Sequence, residues 1–144
     1  MEKLPHHYLV SADMGAGSLP QVSSPGLPGI VANKPAEFGG PGDAWSPETL
    51  LMAAIASCFT LSFEAVATAA RFDYVDLRCD ANGTLDRVDR VTRFTEIVQD
   101  VRLTIPAGGD VTKARQLLEK AEHVCLVSNS LNAAVTLNVE VTES

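Results

Sequence analysis

A long apolar segment in the middle of the chain constrains the fold more than any other feature. Leu50–Phe63 is a run of 14 residues without a charged side chain. Ser46, Pro47 and Glu48, just before it, are typical of a helix start because they supply a capping hydroxyl, a first-turn proline and a carboxylate at the positive end of the helix dipole. We therefore predict a helix over 46–70. Since this helix has almost no polar face, a sheet or a partner chain must cover it.

The remaining elements are short strands before this helix and longer ones after it. Apolar pieces separated by glycine and proline turns predict strands and a loop over 1–45. Alternating side chains predict a strand pair over 73–105 and a last strand over 133–142, and helical spacing predicts a second helical region over 110–131. This order indicates an α+β fold rather than a βαβ repeat, and the length indicates a single domain over 1–144.

The charge balance argues against some partners. Lys and Arg number 11 against 18 Asp and Glu, which gives a net charge of −7 and a pI near 4.8. Nucleic acids and anionic membranes both need a basic face, so neither is an expected partner. The apolar segment is shorter than the roughly 20 residues of a bilayer span, and the N-terminal residues MEKLPHHYLV have no apolar core of signal-peptide length. We therefore expect a cytoplasmic protein without a membrane span.

Three cysteines are the main candidates for chemistry. So small and odd a number does not build a disulfide framework, so each thiol either packs or reacts. Cys58 lies in the middle of the predicted helix, and Cys125 follows the second one. Cys79 lies on the apolar face of a predicted strand, where we expect it to pack. Neither a metal-ligand spacing nor a glycine-rich phosphate motif is present, so we expect no metal and no bound cofactor.

The segments around Cys58 and Cys125 resemble the two cysteine motifs of the OsmC/Ohr family. That family comprises osmotically inducible protein C and the organic hydroperoxide resistance proteins. The residues that carry the resemblance are Phe38-Gly39-Gly40, Ser46–Leu51, Ala54–Phe59 and Ala121–Leu131. Chain length, cysteine spacing and element order agree as well. The resemblance implies an OsmC-like α+β fold, with antiparallel sheets packed around a long buried central helix, in an intertwined homodimer with its sites at the dimer interface.

The resemblance also implies a thiol peroxidase that reduces organic hydroperoxides in defence against oxidative stress. Cys58 would attack the peroxide as a thiolate, and Cys125 would resolve the resulting sulfenic acid to a disulfide that a dithiol of lipoyl type reduces. Glu48 would orient an activating arginine, although the helix dipole explains a first-turn carboxylate equally well. The implied partners are a second copy of the chain, a small hydroperoxide and the dithiol reductant.

One part of the family pattern is missing. In the hydroperoxide resistance proteins the activating arginine comes from an early hairpin, but here no arginine precedes Arg71. Lys34 is the nearest early cation, and lysine lacks the guanidinium fork. Arg71 or a histidine would be other sources of positive charge. The alternative function is that of a family member without peroxidase activity, which binds a small apolar ligand or an electrophile.

Overall fold

The predicted central helix is present as α1, Pro47–Ala69. The computed structural model describes all 144 residues and divides into two compact units, Met1–Leu50 and Leu51–Ser144, so that α1 begins in the first unit and continues in the second. The Ser46 hydroxyl accepts a hydrogen bond from the backbone N–H of Thr49 at 3.1 Å, which caps the helix where the sequence predicts its start. The single-domain organisation stays a prediction.

The first unit contains a small antiparallel sheet. Its strands are β1 Ser11–Asp13, β2 Gln21–Ser23 and β3 Ile30–Val31, in the order β1-β2-β3. The turn between β2 and β3 contains Gly26 at a φ of 76°, a left-handed conformation that glycine adopts without strain. A 3-10 turn at Ala36–Phe38 follows β3 and precedes α1 in the chain.

The second unit contains a larger sheet, which is mixed. Its strands are β4 Asp76–Val88, β5 Val91–Ile105 and β6 Ala134–Glu143. β4 and β5 form an antiparallel hairpin, but β6 pairs with β5 in parallel. The α+β class is confirmed. The expectation of purely antiparallel sheets is wrong for β5 and β6, because the chain crosses over through helices between them and enters β6 in the same direction as β5.

Two helices make this crossover and position Cys125. α2, Val111–Val124, begins at Asp110, whose carboxylate accepts a hydrogen bond from the backbone N–H of Lys113 at 2.9 Å. α3, Leu126–Asn129, is a single turn. Cys125 lies between the two helices with an extended backbone, at a ψ of 106°, which ends α2 and begins α3. The junction thereby holds the cysteine side chain in the interior.

The core of the second unit is formed by α1, β5 and α2. Its buried side chains are Phe59, Phe63, Val66, Ala67, Val101, Leu103, Ile105, Ala114, Leu117, Leu118 and Ala121. The members from α1 follow helical spacing and form one stripe. Burial of α1 in the single chain is limited to this side, since Leu61 is 65% exposed. The sequence predicts a helix that is buried on most sides. A further surface must therefore cover the side of α1 that is exposed in the single chain.

By length and composition alone, α1 is apolar enough to cross a membrane, with a mean hydropathy of 1.8 over 18 residues. A single helix of this kind is weak evidence, because core helices of soluble proteins share these properties. The buried stripe described above gives α1 a place in the core of the second unit. The cytoplasmic location stays a prediction.

Candidate active site

The fold brings together two of the predicted site residues. Cys58 lies in the middle of α1 and is half-buried, whereas Cys125 is fully buried at the junction of α2 and α3. Burial raises the pKa of the Cys125 thiol above its ordinary value, Ser128 lowers it, and the adjacent Cys58 thiol raises it again. The pair therefore combines a more accessible sulfur with a buried thiol that is protonated at neutral pH.

An open apolar groove, which we call the Cys58 groove, runs beside the Cys58 sulfur. It has a volume of about 470 Å³, and no charged residue lines it. Its walls come from α1 and from the α3 turn and include Leu61 and Leu126, which are 65% and 69% exposed. Such a surface suits an apolar molecule that approaches Cys58, and it supplies no cation of its own.

A polar network, the Gln99 network, lies in the interior near Cys125. It consists of Cys79 on β4, Gln99 on β5, Glu122 on α2 and Ser128 on α3. Gln99 is fully buried and donates a hydrogen bond from Nε2 to Glu122 Oε2 at 2.5 Å. The Cys79 thiol donates to Gln99 Oε1 over 3.6 Å. Both polar ends of the buried amide are thus satisfied by side chains of this network.

Burial perturbs the ionisable members of the Gln99 network. It raises the pKa of Glu122, while the hydrogen bond from Gln99 and the nearby Ser128 hydroxyl lower it in part. Burial also raises the pKa of Cys79 to about 12, with further increases from nearby acidic groups, of which Asp80 is the largest. Cys79 is therefore a protonated, poorly nucleophilic thiol.

Sequence reasoning missed Gln99, Glu122 and Ser128. One signal for Gln99 was available, because it occupies an inward position of β5 between the buried Ile97 and Val101. A long polar side chain on the core face of a strand indicates a buried hydrogen-bonding partner. No comparable signal identifies Glu122, since most carboxylates on an amphipathic helix face solvent.

Glu48 belongs to the first unit and lies in the first turn of α1. Its Oε2 atom is buried and has no hydrogen-bond partner. Glu48 and Lys34 line the same cavity of about 500 Å³, whose other walls include Val22 and Phe38. Lys34, the nearest early cation in the sequence, thus shares a cavity with the predicted site carboxylate.

The other candidate cations lie elsewhere. Arg71 is exposed just beyond α1. His123 is exposed in the last turn of α2, where the helix dipole favours a positive charge. Neither residue lines the Cys58 groove. No three His, Cys, Asp or Glu side chains converge on a point that would hold a metal ion.

The fold and the site define an α+β protein with a buried and a half-buried thiol side by side in a helix-sheet core. Residues 40–140 match the family described as OsmC-like protein. The chain belongs to this family, which confirms the resemblance that the two cysteine motifs indicate.

Individual relatives agree with this assignment. The peroxiredoxin OsmC of Escherichia coli (strain K12) is 30% identical over 96 residues, which cover 67% of this chain and 66% of that protein. The uncharacterized protein YmaD of Bacillus subtilis (strain 168) is 26% identical over 109 residues, 74% of this chain and 73% of that protein. The crystal structure of an organic hydroperoxide resistance protein OsmC from Legionella pneumophila has a TM-score of 0.77 at 25% identity, covering 97% of this chain and 99% of the other.

Proposed function

We propose that this protein is a thiol peroxidase that reduces organic hydroperoxides through Cys58 and Cys125. The observation that carries the proposal is the pairing of the half-buried Cys58, beside an apolar groove, with the buried, protonated thiol of Cys125. The names of the relatives, a peroxiredoxin and a hydroperoxide resistance protein, support the same chemistry.

The reaction follows from these roles. The Cys58 thiolate attacks the peroxide: a sulfur–oxygen bond forms, the oxygen–oxygen bond breaks, and the departing alkoxide takes a proton to become an alcohol. Cys125 then attacks the Cys58 sulfenic acid, which forms the disulfide and releases water before irreversible oxidation. A dithiol of lipoyl type reduces the disulfide by thiol exchange. The uncharged groove favours alkyl or aryl hydroperoxides over hydrogen peroxide, because it has no polar group other than hydroxyl and thiol to solvate a small polar substrate.

A peroxide assay with dihydrolipoamide as the reductant tests this proposal. We expect the wild type to consume cumene hydroperoxide, Cys58→Ser to lose all turnover, and Cys125→Ser to complete one turnover and stop. Cys79→Ser is the matched control and should keep most of the activity. Equal rates for the wild type and Cys58→Ser with several dithiols would refute the peroxidase proposal.

Glu48 has a supporting role in this proposal, as the carboxylate that orients a cation. Lys34, which lines the same cavity, is the candidate cation in place of the missing arginine. Because the resemblance assigns the activation of Cys58 to a cation oriented by Glu48, we expect Glu48→Gln and Lys34→Ala each to slow sulfenic acid formation about tenfold. Glu64→Gln, on the exposed side of the same helix, is the matched control. Unchanged rates in both variants would remove Glu48 and Lys34 from the mechanism.

The proposal includes a homodimer. The exposed Leu61 and Leu126 leave the Cys58 groove open to water in a single chain, and a second copy would cover this apolar surface. Sedimentation velocity is expected to give twice the mass of the 15.3 kDa chain. Leu61→Glu should weaken the dimer, whereas Val91→Glu, at an exposed position outside the groove, should not. A wild-type monomer at micromolar concentration would contradict this part of the proposal.

A second function is favoured by one observation. The Cys58 groove contains no cation, so its thiol lacks a charged activator within the groove. A family member without peroxidase activity would use this groove to bind a small apolar ligand or an electrophile. It would bind an apolar fluorescent probe, or undergo alkylation at Cys58, without any peroxide turnover above that of Cys58→Ser.

A further inference from the structure

The Gln99 network is the part of the interior that the proposed reaction does not yet use. Gln99 is completely buried on a strand whose inward neighbours, Ile97 and Val101, are apolar. An uncharged apolar residue would fill this position without the cost of dehydrating an amide. Instead, Gln99 holds the Glu122 carboxylate by a hydrogen bond of 2.5 Å. The half-buried carboxylate of Glu122 is thereby held in the interior, near the end of α2 that Cys125 follows.

The backbone brings Glu122 and Cys125 into successive turns with Ser128. The Cys125 N–H donates to the Glu122 carbonyl at 3.2 Å, and the Asn129 N–H donates to the Cys125 carbonyl at 3.0 Å. The Ser128 hydroxyl oxygen is buried and has no hydrogen-bond partner in this arrangement. Its hydroxyl lies close enough to lower the pKa of both the Cys125 thiol and the Glu122 carboxyl. Ser128 is therefore placed to relay a proton between the two groups.

We propose that Glu122 accepts the proton of Cys125, through the Ser128 hydroxyl, when Cys125 forms a disulfide with Cys58. The inference builds on the proposed redox pair and adds the group that ionises its buried member. A buried thiol needs such an acceptor, because only the thiolate attacks sulfur and bulk water has little access to it. In this proposal Glu122 is a positioning residue that holds the proton, because it acts on Cys125 through the Ser128 side chain and does not touch the reacting sulfur.

The step balances in atoms and charge. The sulfur–sulfur bond forms as the sulfur–oxygen bond of the Cys58 sulfenic acid breaks, so that Cys125 is oxidised and the sulfenic sulfur is reduced. The Cys125 proton passes to Glu122, and the departing hydroxide takes a proton from solvent at the half-buried Cys58 to become water. When a dithiol later reduces the disulfide, protonated Glu122 returns its proton to the Cys125 thiolate.

The other titratable groups near Glu122 do not compete for this role. Cys79 faces the network from β4, and its pKa of about 12 keeps it protonated. Asp80 and Asp100 act on Cys79 from the sheet, and Cys58 acts on Cys125 from α1. Among these groups, Glu122 is the carboxylate whose pKa, like that of the Cys125 thiol, is lowered by Ser128.

Disulfide exchange with dithiobis(nitrobenzoate) tests the inference without any peroxide. Attack of Cys58 releases a first equivalent of coloured thiolate, and attack of Cys125 on the mixed disulfide releases a second. General-base assistance commonly contributes about 100-fold. Because thiols ionise more readily than most substrates, we expect Glu122→Gln and Ser128→Ala to slow the second phase at pH 7 by about tenfold. Glu119→Gln, exposed on the same helix, is the matched control and should match the wild type.

The pH profile separates a proton acceptor from a structural role. The deficit of Glu122→Gln should close toward pH 10, where hydroxide ionises Cys125 directly, while a packing defect would persist at every pH. Cys125→Ser should release a single equivalent. A second phase of wild-type rate in both Glu122→Gln and Ser128→Ala between pH 6 and 8, or its absence in the wild type, would overturn the inference. A slowed second phase in a protein that consumes no peroxide would retain the inference and reject the peroxidase proposal.

Discussion

Replacing Gln99 with leucine tests the buried network through stability rather than through activity. In Gln99→Leu the volume of the side chain is nearly kept, but Glu122 loses its donor at 2.5 Å and Cys79 loses its acceptor at 3.6 Å. A hydrogen bond to a charged group contributes about 1.5–3 kcal/mol. Because the half-buried carboxylate recovers part of this from water, we expect the free energy of unfolding to fall by about 1–2 kcal/mol at pH 7.

The loss of stability in Gln99→Leu depends on pH. Burial raises the pKa of Glu122, and the hydrogen bond from Gln99 lowers it, so removal of the donor raises this pKa further. A carboxyl group whose pKa is raised in the folded state favours folding below its unfolded pKa, and this contribution is lost as the pH rises through the folded-state pKa. The deficit should therefore be small at pH 4 and grow as the pH rises above 4.5, the ordinary value for glutamate.

Urea denaturation followed by circular dichroism between pH 4 and 8 measures this effect, at one protein concentration so that association does not change the apparent stability. Gln116→Leu, at an exposed position of α2, is the control and should change the free energy of unfolding by less than about 0.5 kcal/mol. In a Glu122→Gln background the pH dependence should disappear. A deficit that is constant with pH, or no deficit at pH 7, would refute the assigned coupling between Gln99 and Glu122.

Three further substitutions test local structure by thermal or urea unfolding. Arg90→Gly should stabilise the protein by about 1 kcal/mol, because Arg90 has a φ of 66° in the hairpin turn between β4 and β5; a loss of stability would contradict this. Gly40→Ala should destabilise the first unit, since a Cβ would lie 1.8 Å from the Lys34 carbonyl oxygen, and unchanged unfolding would contradict the close approach. Asp110→Ala should cost about 1 kcal/mol by removing the cap of Lys113 N–H, whereas Asp110→Asn should largely retain it.

The helix starts could be predicted because their signals are local. Ser46 and Asp110 each accept a hydrogen bond from the backbone three residues ahead, and such caps are visible in the sequence before any tertiary contact is known. The strands of the second unit also follow from alternation. The direction of β6 does not, because parallel and antiparallel strands place side chains on alternate faces in the same way. Only the crossover through α2 and α3 decides it.

The residues of the candidate site could also be predicted only in part. Cys58 and Cys125 are singled out by their resemblance to family motifs, and no local property of either cysteine predicts that the two thiols meet. The Gln99 network depends on contacts between β4, β5 and α2 that lie far apart in the chain. The side chains of such a network look like ordinary surface residues until their burial is known. Chemistry that depends on long-range burial is therefore the part least accessible to sequence reasoning.

The third cysteine shows why burial matters for the proposed redox pair. A thiol close to a disulfide-forming pair is a hazard, because its thiolate would exchange with the disulfide and trap the wrong bond. Cys79 has a pKa of about 12 and donates its proton to Gln99 Oε1. At pH 7 only about one molecule in 10⁵ carries a Cys79 thiolate. Burial and the nearby acidic groups thus keep Cys79 protonated, and the glutamine that holds Glu122 through its amide nitrogen accepts the Cys79 proton in a hydrogen bond through its oxygen, so the third cysteine does not compete with the proposed redox pair.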